Sequence, residues 1–518
     1  MTLPRCAVTP HPLADVIVTA QAADFLSDLH HNFESERQRL LADRVIRQQR
    51  IDAGYLPTFR PETAHIRSGE WGIAPPPPDL ADRRTEVTGP VTAEFMIQAL
   101  NSGAKVFMAD FEDATSPTWH NILTGQANVK AAYAGELTDL DDQSATLMVR
   151  TRAWHLDESH ITVDGQPISA ALADFGLCFF HNFNTAIERG SGPYFYLPKL
   201  EGQADARLWN QVFDYTEDRF DLQRGTIRVT VLVETILAAF DMDEILFELR
   251  DHITGLHTGN WDYLFSVAKT FRNNGDFLLP DRDQITVKTP FMRAFTELLV
   301  STCHRRRAHA IGGMSGVIPD ADDPTRTAGA LRKVAADKRR EAGDGFDGTR
   351  IAVPQIVPTA VVEFDKVLGN RPNQVERQRD DVYVTAGDLL AVSSTRGSVS
   401  EGGVRTNIRI VIRYLGEWLV GNAAVPIDDH LEDTAMAEVC RAQLWQWCHH
   451  QVQLSNGLTL DRGLLEHLID DETELLRTEL GEAAWAAGRF VEARELLQKL
   501  TTTDDYHEFL TTEAYRLL

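Results

Sequence analysis

The first 60 residues have the hydrophobic pattern of an amphipathic helix. Between positions 11 and 60, large apolar residues recur at near-helical spacing among charged ones: Phe25, Leu26, Leu29, Phe33, Leu40, Leu41 and Val45. The run Pro75–Pro78 follows, and consecutive prolines cannot continue a helix. We therefore predict an N-terminal helical unit over residues 1–84.

From about residue 85 onward, short apolar runs alternate with longer amphipathic segments. The runs with strand-like composition are Glu86–Thr88, Val106–Asp110, Leu147–Thr151, Tyr194–Pro198, Ile227–Val233, His252–Leu256, Ala308–Gly312 and Thr349–Val353. Each is followed by enough chain for a helix, so the pattern predicts an α/β fold, a (β/α)₈ barrel over 85–370. The alternative is a doubly wound sheet, but no glycine-rich phosphate loop follows the first run.

The last part of the chain is predicted to be a helical domain over 371–518. Ser393–Gly403 is polar and contains glycine, as in a loop or linker. Amphipathic helical patterns follow, most clearly at Ile408–Leu419 and Met436–Trp447.

Composition and charge narrow the class of protein. The formal net charge of −25 disfavours a nucleic-acid or anionic-membrane partner. The 5 cysteines are scattered and form no CxxC motif, which argues against structural zinc and a disulfide framework. Neither a signal peptide nor an apolar run long enough to span a bilayer is recognisable. We expect a cytoplasmic protein with small-molecule substrates; the oligomeric state is not readable.

Polar residues follow several of the predicted strands, where a barrel carries its active site. Glu234 ends one apolar run and Asp262 follows the next, so the two carboxylates can converge on a hard cation such as Mg²⁺. The alternative is a salt bridge from Glu234 to a neighbouring arginine. The intervening aromatic residues, including Trp261, indicate a shaped pocket.

Three further positions carry candidate chemistry. Glu112 shares a strand face with Asp110, and either acidic side chain could bind metal-bound water or lie in an ordinary acidic loop. Arg150 ends the third strand and can bind a substrate carboxylate or balance the nearby acids. Asp433 precedes a helix, where it is either an N-cap or a base whose pKa the helix start keeps low.

Several long motifs resemble the malate synthase family, in its shorter bacterial and plant type. They are TGPV (88–91), VFMADFEDATSPTW (106–119), GPYFYLPK (192–199), ETILAAFDMDEILFELRDHITGLHTGNWDYLF (234–265), LPDR (279–282), GGMSGVIP (312–319) and LEDTAMAE (431–438). The resemblance implies a barrel with an N-terminal helical clasp and a C-terminal helical domain. It also implies Claisen condensation of acetyl-CoA with glyoxylate, followed by thioester hydrolysis to malate and CoA.

The resemblance also implies roles for single residues. Glu234 and Asp262 match the family's Mg²⁺ ligands, Arg150 the arginine that stabilises the enolate, and Asp433 the base. Glu112 and Asp113 match residues that order metal-bound water and the substrate pocket. Gly259 and Trp261, in the same motif as Asp262, are expected at the substrate.

The chain departs from the family pattern near the predicted site. GLNxGxWDY reads GLHTGNWDY, with His257 for asparagine, and DGTWIAHP reads DGTRIAVP, with Arg350 for tryptophan and Val353 for histidine. These changes are either neutral or alter the choice of 2-oxo acid or acyl-CoA. Arg350 and His257 are therefore candidate substrate-binding residues, and His257 could favour Mn²⁺. A catalytically silent paralogue is a further alternative.

Overall fold

The computed structural model describes residues 6–141, 144–320 and 322–518. Its centre is a closed barrel of eight parallel strands. In chain order they are β1 (Glu86–Pro90), β2 (Val106–Asp110), β3 (Thr146–Arg150), β4 (Tyr194–Leu197), β5 (Arg228–Val233), β6 (Ile253–Thr258), β7 (His309–Ser315) and β8 (Gly348–Ile351). The predicted barrel is confirmed, and closure excludes the doubly wound sheet.

Helices surround the barrel, and further helices form most of the N-terminal and C-terminal segments. Those of the N-terminal segment and the barrel are α1 (Ala20–Asp52), α2 (Ala93–Leu100), α3 (Trp119–Ala134), α4 (Ala170–Glu188), α5 (Gln203–Arg219), α6 (Met242–Glu248), α7 (Asn260–Thr270), α8 (Pro290–Arg305), α9 (Pro324–Asp344) and α10 (Val357–Leu368). The C-terminal helices are α11 (Glu401–Trp418), α12 (Thr434–His449), α13 (Arg462–Ala487), α14 (Phe490–Thr502) and α15 (Leu510–Tyr515). Short helices lie at Ala14–Ile17, Ala64–Ser68 and Ala386–Leu389.

Helix α1 holds the N-terminal segment against the barrel. It begins after Thr19, whose hydroxyl accepts a hydrogen bond from the Ala22 amide. Its buried apolar face, which includes Phe25 and Leu29, packs on α4 and α5. The helix predicted within residues 11–60 is therefore present.

Two small sheets complete the fold. Cys6–Val8, Asp157–Val163 and Gln166–Ser169 form an antiparallel sheet beside the barrel. Val425–Ile427 and His430–Glu432 form a hairpin that leads directly into α12. Since α12 packs extensively on α7, the hairpin brings the start of α12 to the barrel. Among the described helices, none has the length and apolar character needed to cross a membrane.

The barrel interior is packed with side chains rather than open. Leu80, which precedes β1, and apolar residues from several strands fill it; the strand residues are Val106, Met108, Met148, Tyr194, Tyr196 and Leu232. At its N-terminal end the buried Arg83 guanidinium pairs with Glu86. In barrels of this kind the active site lies at the other end, formed by the carboxyl ends of the strands.

Candidate active site

Three buried carboxylates converge at the carboxyl end of the barrel. Asp113 lies in the loop after β2, Glu234 directly follows β5, and Asp262 lies in the first turn of α7. One oxygen of each lies within 4.8 Å of the others. We call Asp113, Glu234 and Asp262 the carboxylate cluster. The structure thus unites Glu234 with Asp262, although Asp262 belongs to a helix rather than to a strand end.

Gly259 allows the chain to approach this cluster closely. It precedes α7, and a Cβ atom placed on it would lie 2.5 Å from Cβ of Glu234 and 2.9 Å from Oε2. Real Cβ atoms essentially never come this close to another heavy atom. Any larger residue at 259 would therefore displace the Glu234 carboxylate.

Lys199, at the end of β4, is the cationic centre of the cluster. Its ammonium lies 3.0 Å from Asp113, 3.1 Å from Glu112 and 3.3 Å from Asp262. Its backbone amide donates to Oε1 of Glu234 at 2.6 Å. The φ of +50° at Lys199 is unfavourable for a non-glycine residue, so the surrounding contacts must hold this conformation.

Arg150 also contacts the cluster, and its guanidinium nitrogens already lie against acidic side chains. Its Nε and Nη2 donate to the Asp110 carboxylate at 2.7 and 2.5 Å, and its Nη1 lies 2.9 Å from Asp113. Asp110 itself accepts from the backbone amides of Glu112 and Ala114, which fixes the acidic loop. Without substrate, Arg150 is therefore paired with acidic side chains, which agrees with both of its predicted roles.

Burial makes several of these acids hard to ionise. It raises the pKa of Glu234 well above its ordinary value, and the Asp262 carboxylate adds to the increase. The pKa of Asp262 is also raised, chiefly by burial, as is that of Glu112. Burial acts in the same direction on Asp113, but Lys199 and Arg150 outweigh it and lower its pKa. When ionised, the three acids of the cluster and Glu112 outnumber the two cations paired with them, Lys199 and Arg150.

Asp433 is at the N-cap position of α12, but its carboxylate makes no capping hydrogen bond. Its Oδ1 is buried and has no hydrogen-bond partner in the described parts of the chain. Burial, followed by Asp113 and Asp262, raises the pKa of Asp433 to about 8. In the protein without ligands, the helix start does not keep the pKa of Asp433 low, so that prediction is wrong.

Thr434 links Asp433 to the cluster. Its backbone amide and its hydroxyl both donate to the Asp113 carbonyl, at 3.3 and 3.1 Å. The hydroxyl also lies 2.7 Å from the Tyr414 hydroxyl, on α11. The residue that follows Asp433 is thus bonded to the backbone of one member of the cluster.

A cavity of about 650 Å³ adjoins the cluster at Asp262. Its walls include Gly259, Trp261, Asp262, Arg350 and Asp433. The volume is within the range of small-molecule sites. Five of the residues predicted from sequence therefore face one cavity.

The residues that depart from the family pattern lie in different places. Arg350 is on β8 and is 5% exposed, and its side chain reaches the cavity. His257, on β6, lies inside the barrel with its ring edge-on to Tyr196, at 5.9 Å between centroids. It is not part of the carboxylate cluster and does not line the cavity. Val353 is buried and follows the last residue of β8 by two positions.

The donor set of the cluster fits a hard divalent cation. Oε2 of Glu234 is buried with no hydrogen-bond partner within the described segments, and the three acids offer the oxygen ligands that Mg²⁺ prefers. A cation would also offset the excess negative charge that burial makes costly.

Comparison with known proteins identifies the family. Family models match residues 11–65 (malate synthase, N-terminal domain), 146–392 (malate synthase, TIM barrel domain) and 398–518 (malate synthase, C-terminal). A malate synthase from Streptomyces clavuligerus is 48% identical over 522 residues, covering 98% of this chain and 96% of that protein. The chain belongs to the malate synthase family. Malate synthase A of Escherichia coli is 46% identical, covering 97% and 96%, and the glyoxysomal malate synthase of Gossypium hirsutum is 42% identical, covering 97% and 91%.

Membership of the malate synthase family confirms the resemblance on which the site residues were proposed. Nothing in the comparisons favours a silent paralogue or different substrates. Lys199 was not assigned a role from sequence, although it ends the motif GPYFYLPK and follows a barrel strand. Thr434 was not predicted either, since one threonine after an acidic residue carries no recognisable signal.

Proposed function

We propose that this chain condenses acetyl-CoA with glyoxylate and then hydrolyses the thioester, releasing malate and CoA. It would thus be an acyltransferase of the malate synthase type. One observation carries the proposal: the unpartnered Asp433 carboxylate and Asp262 of the carboxylate cluster line the same cavity. A base and a cation-binding group so arranged suit proton removal next to a thioester, followed by attack on an aldehyde.

Asp433 is the proposed base. Its Oδ1 removes a proton from the acetyl methyl group, and that carbon then forms a bond with the aldehyde carbon of glyoxylate. The aldehyde oxygen takes up a proton as the hydroxyl group of malate. Water then cleaves the carbon–sulfur bond and releases CoA. With a pKa of about 8 in the protein without ligands, Asp433 is mostly protonated at pH 7 and becomes the free base above about pH 8.

The enolate that precedes bond formation needs a cationic donor. We assign this role to Arg150, whose Nε and Nη2 are held by Asp110, whereas its buried Nη1 makes an ion pair with Asp113 but no hydrogen bond among the described residues. Those two bonds orient the guanidinium before substrate arrives, so it need not reorganise during the reaction. Glu112 and Asp113 position Lys199 and Arg150 around the cluster.

Glu234 and Asp262, with Asp113 as a third oxygen donor, would hold Mg²⁺; Mn²⁺ is an alternative with similar ligand preferences. When bound, the cation would supply Lewis acidity toward the oxygens of glyoxylate. We further propose a cytoplasmic location, no nucleic-acid or membrane partner, and the division of the chain at 84/85 and 370/371. The first boundary falls between α1 and β1, and the second falls just after α10. The C-terminal family model begins later, at residue 398.

The test replaces Asp433 by asparagine, which keeps the shape of the side chain and removes the base. We expect Asp433→Asn to lower CoA release from acetyl-CoA and glyoxylate by about 10²- to 10⁴-fold. Binding of acetyl-CoA, measured by calorimetry, should be nearly unchanged. Asp428→Asn, in the exposed part of the same hairpin, is the matched control and should retain wild-type turnover. Full activity in Asp433→Asn would rule out Asp433 as the base.

A further inference from the structure

Arg350 is a buried cation whose side chain has no hydrogen-bond or ion-pair partner among the described residues. Its Nε and Nη1 are inaccessible to solvent and form no hydrogen bond with any described residue, and it takes part in no ion pair among them. Its neighbour Thr349 faces the opposite way, donating to Glu341 on α9 at 2.6 Å. Strand alternation therefore directs Arg350 toward the barrel interior and the cavity.

The second buried arginine of the site differs in this respect. Arg150 is held by two hydrogen bonds from its guanidinium to Asp110 and by a close contact with Asp113. Its charge is therefore compensated by the fold, and its position is fixed. Arg350 has the same charge and similar burial, but no described carboxylate forms an ion pair with it; Asp113 and Asp433 feel its charge only from a distance.

A buried guanidinium without a counter-ion costs free energy unless a ligand supplies the missing charge. The side chain of Arg350 does not connect neighbouring strands, since its buried Nε and Nη1 make no hydrogen bond in the described structure. The planar guanidinium can donate two parallel hydrogen bonds to a carboxylate. We infer that Arg350 is the carboxylate-binding residue of the acceptor pocket and receives a carboxylate of the 2-oxo acid. This inference rests on the proposed function and deepens it.

The chemistry of the two substrates favours the 2-oxo acid over CoA as the source of the anion. Arg350 lines the same cavity as Asp433, where the acetyl methyl group must lie for proton removal. The thioester end of acetyl-CoA is uncharged, and its phosphates are at the opposite end of a long arm. Every 2-oxo acid, in contrast, has a carboxylate adjacent to the reacting carbonyl. A second, distal carboxylate would satisfy Arg350 equally well, so the test must separate these two sources.

The test uses Arg350→Met, which removes the charge at similar length, and Arg350→Lys, which keeps the charge but loses the paired donors. For wild type we expect glyoxylate to raise the Tm and to support CoA release. In Arg350→Met the KM for glyoxylate should rise about 10- to 100-fold, the KM for acetyl-CoA should change less than about threefold, and the Tm increase should disappear. In Arg350→Lys, the KM for glyoxylate and the Tm increase should lie between those of wild type and those of Arg350→Met. Arg207→Met, which removes a paired arginine on the outside of α5, should behave as wild type.

Oxaloacetate, which has a distal carboxylate, distinguishes the sources. If its effect on Tm and CoA release is lost in Arg350→Met while that of glyoxylate persists, Arg350 binds the distal group. An unchanged KM and Tm response for both acids in a folded Arg350→Met, or in Arg350→Lys if the methionine variant does not fold, overturns the inference. Absence of CoA release with glyoxylate in wild type would refute the proposed function, while the Tm responses to the two acids would still test Arg350.

Discussion

Gly259→Ala is expected to damage the carboxylate cluster through a single methyl group. The added Cβ would lie 2.5 Å from Cβ of Glu234, and this neighbour is the stem of the side chain rather than its flexible end. Glu234 is fully buried and follows a central strand, so it cannot simply rotate into solvent. Either Gly259 or the Glu234 carboxylate must move.

The size of the effect follows from that distance. Ordinary contacts between carbon atoms are about 3.5–4.0 Å, so the two groups must separate by about 1 Å. Overpacking of this kind costs about 1–3 kcal/mol of folding free energy. Displacement of a ligand by about 1 Å should weaken Mg²⁺ binding at least tenfold, and catalysis by up to about 100-fold.

Calorimetric titration of Mg²⁺ into the protein measures the metal affinity, and urea unfolding measures the stability. Gly343→Ala, on the exposed side of α9 with open space around its Cα, is the matched control. Alanine is a better helix former than glycine, so this variant should be as stable as wild type or up to about 1 kcal/mol more stable. If Gly259→Ala bound Mg²⁺ with wild-type affinity, the argument that position 259 must be glycine for the cluster to form would be refuted.

Two further predictions concern buried charges. Glu158 is paired with Arg152, and its pKa is lowered from 4.5 to about 2. Its ionised form therefore stabilises the fold fully above about pH 4.5, and this contribution is lost as the pH falls toward 2. Glu158→Gln should therefore lower the unfolding free energy by about 3 kcal/mol at pH 7 and by less at pH 4, as measured with urea; an equal loss at both values would contradict the linkage. Lys199→Met should lower the stability measured in chelator by about 3–5 kcal/mol, because three acids lose their shared cation. Added Mg²⁺ should restore part of this loss in thermal unfolding, and a variant as stable as wild type in chelator would count against that role for Lys199.

The barrel could be predicted from sequence because parallel strands that are buried on both faces form continuous apolar runs. All eight runs correspond to strands, with shifts of up to three residues at their ends; β7, for example, continues to Ser315 rather than ending at Gly312. Runs of apolar residues specify the presence of an element better than its end, because the end depends on hydrogen bonds made by neighbouring strands.

The site was less accessible to sequence arguments because its chemistry depends on long-range contacts. The motifs identified Glu234, Asp262 and Asp433, but only the fold shows that the Asp433 carboxylate does not cap its own helix. The position of Lys199 among three acids depends on the closure of β2, β4 and β6 into one barrel. The burial of Arg350 without a counter-ion likewise has no local signature.

The two hydrogen bonds from Thr434 to the Asp113 carbonyl have a consequence for protein engineering. They fix the distance between the base and the acidic loop at one point, although 320 residues of chain separate Asp113 from Asp433. A C-terminal segment taken from another family member would therefore need to reproduce this junction as well as its own packing. Chimaeras joined before the hairpin at Val425 should fold yet lose turnover whenever the donor segment places its own carboxylate even slightly out of register with the barrel.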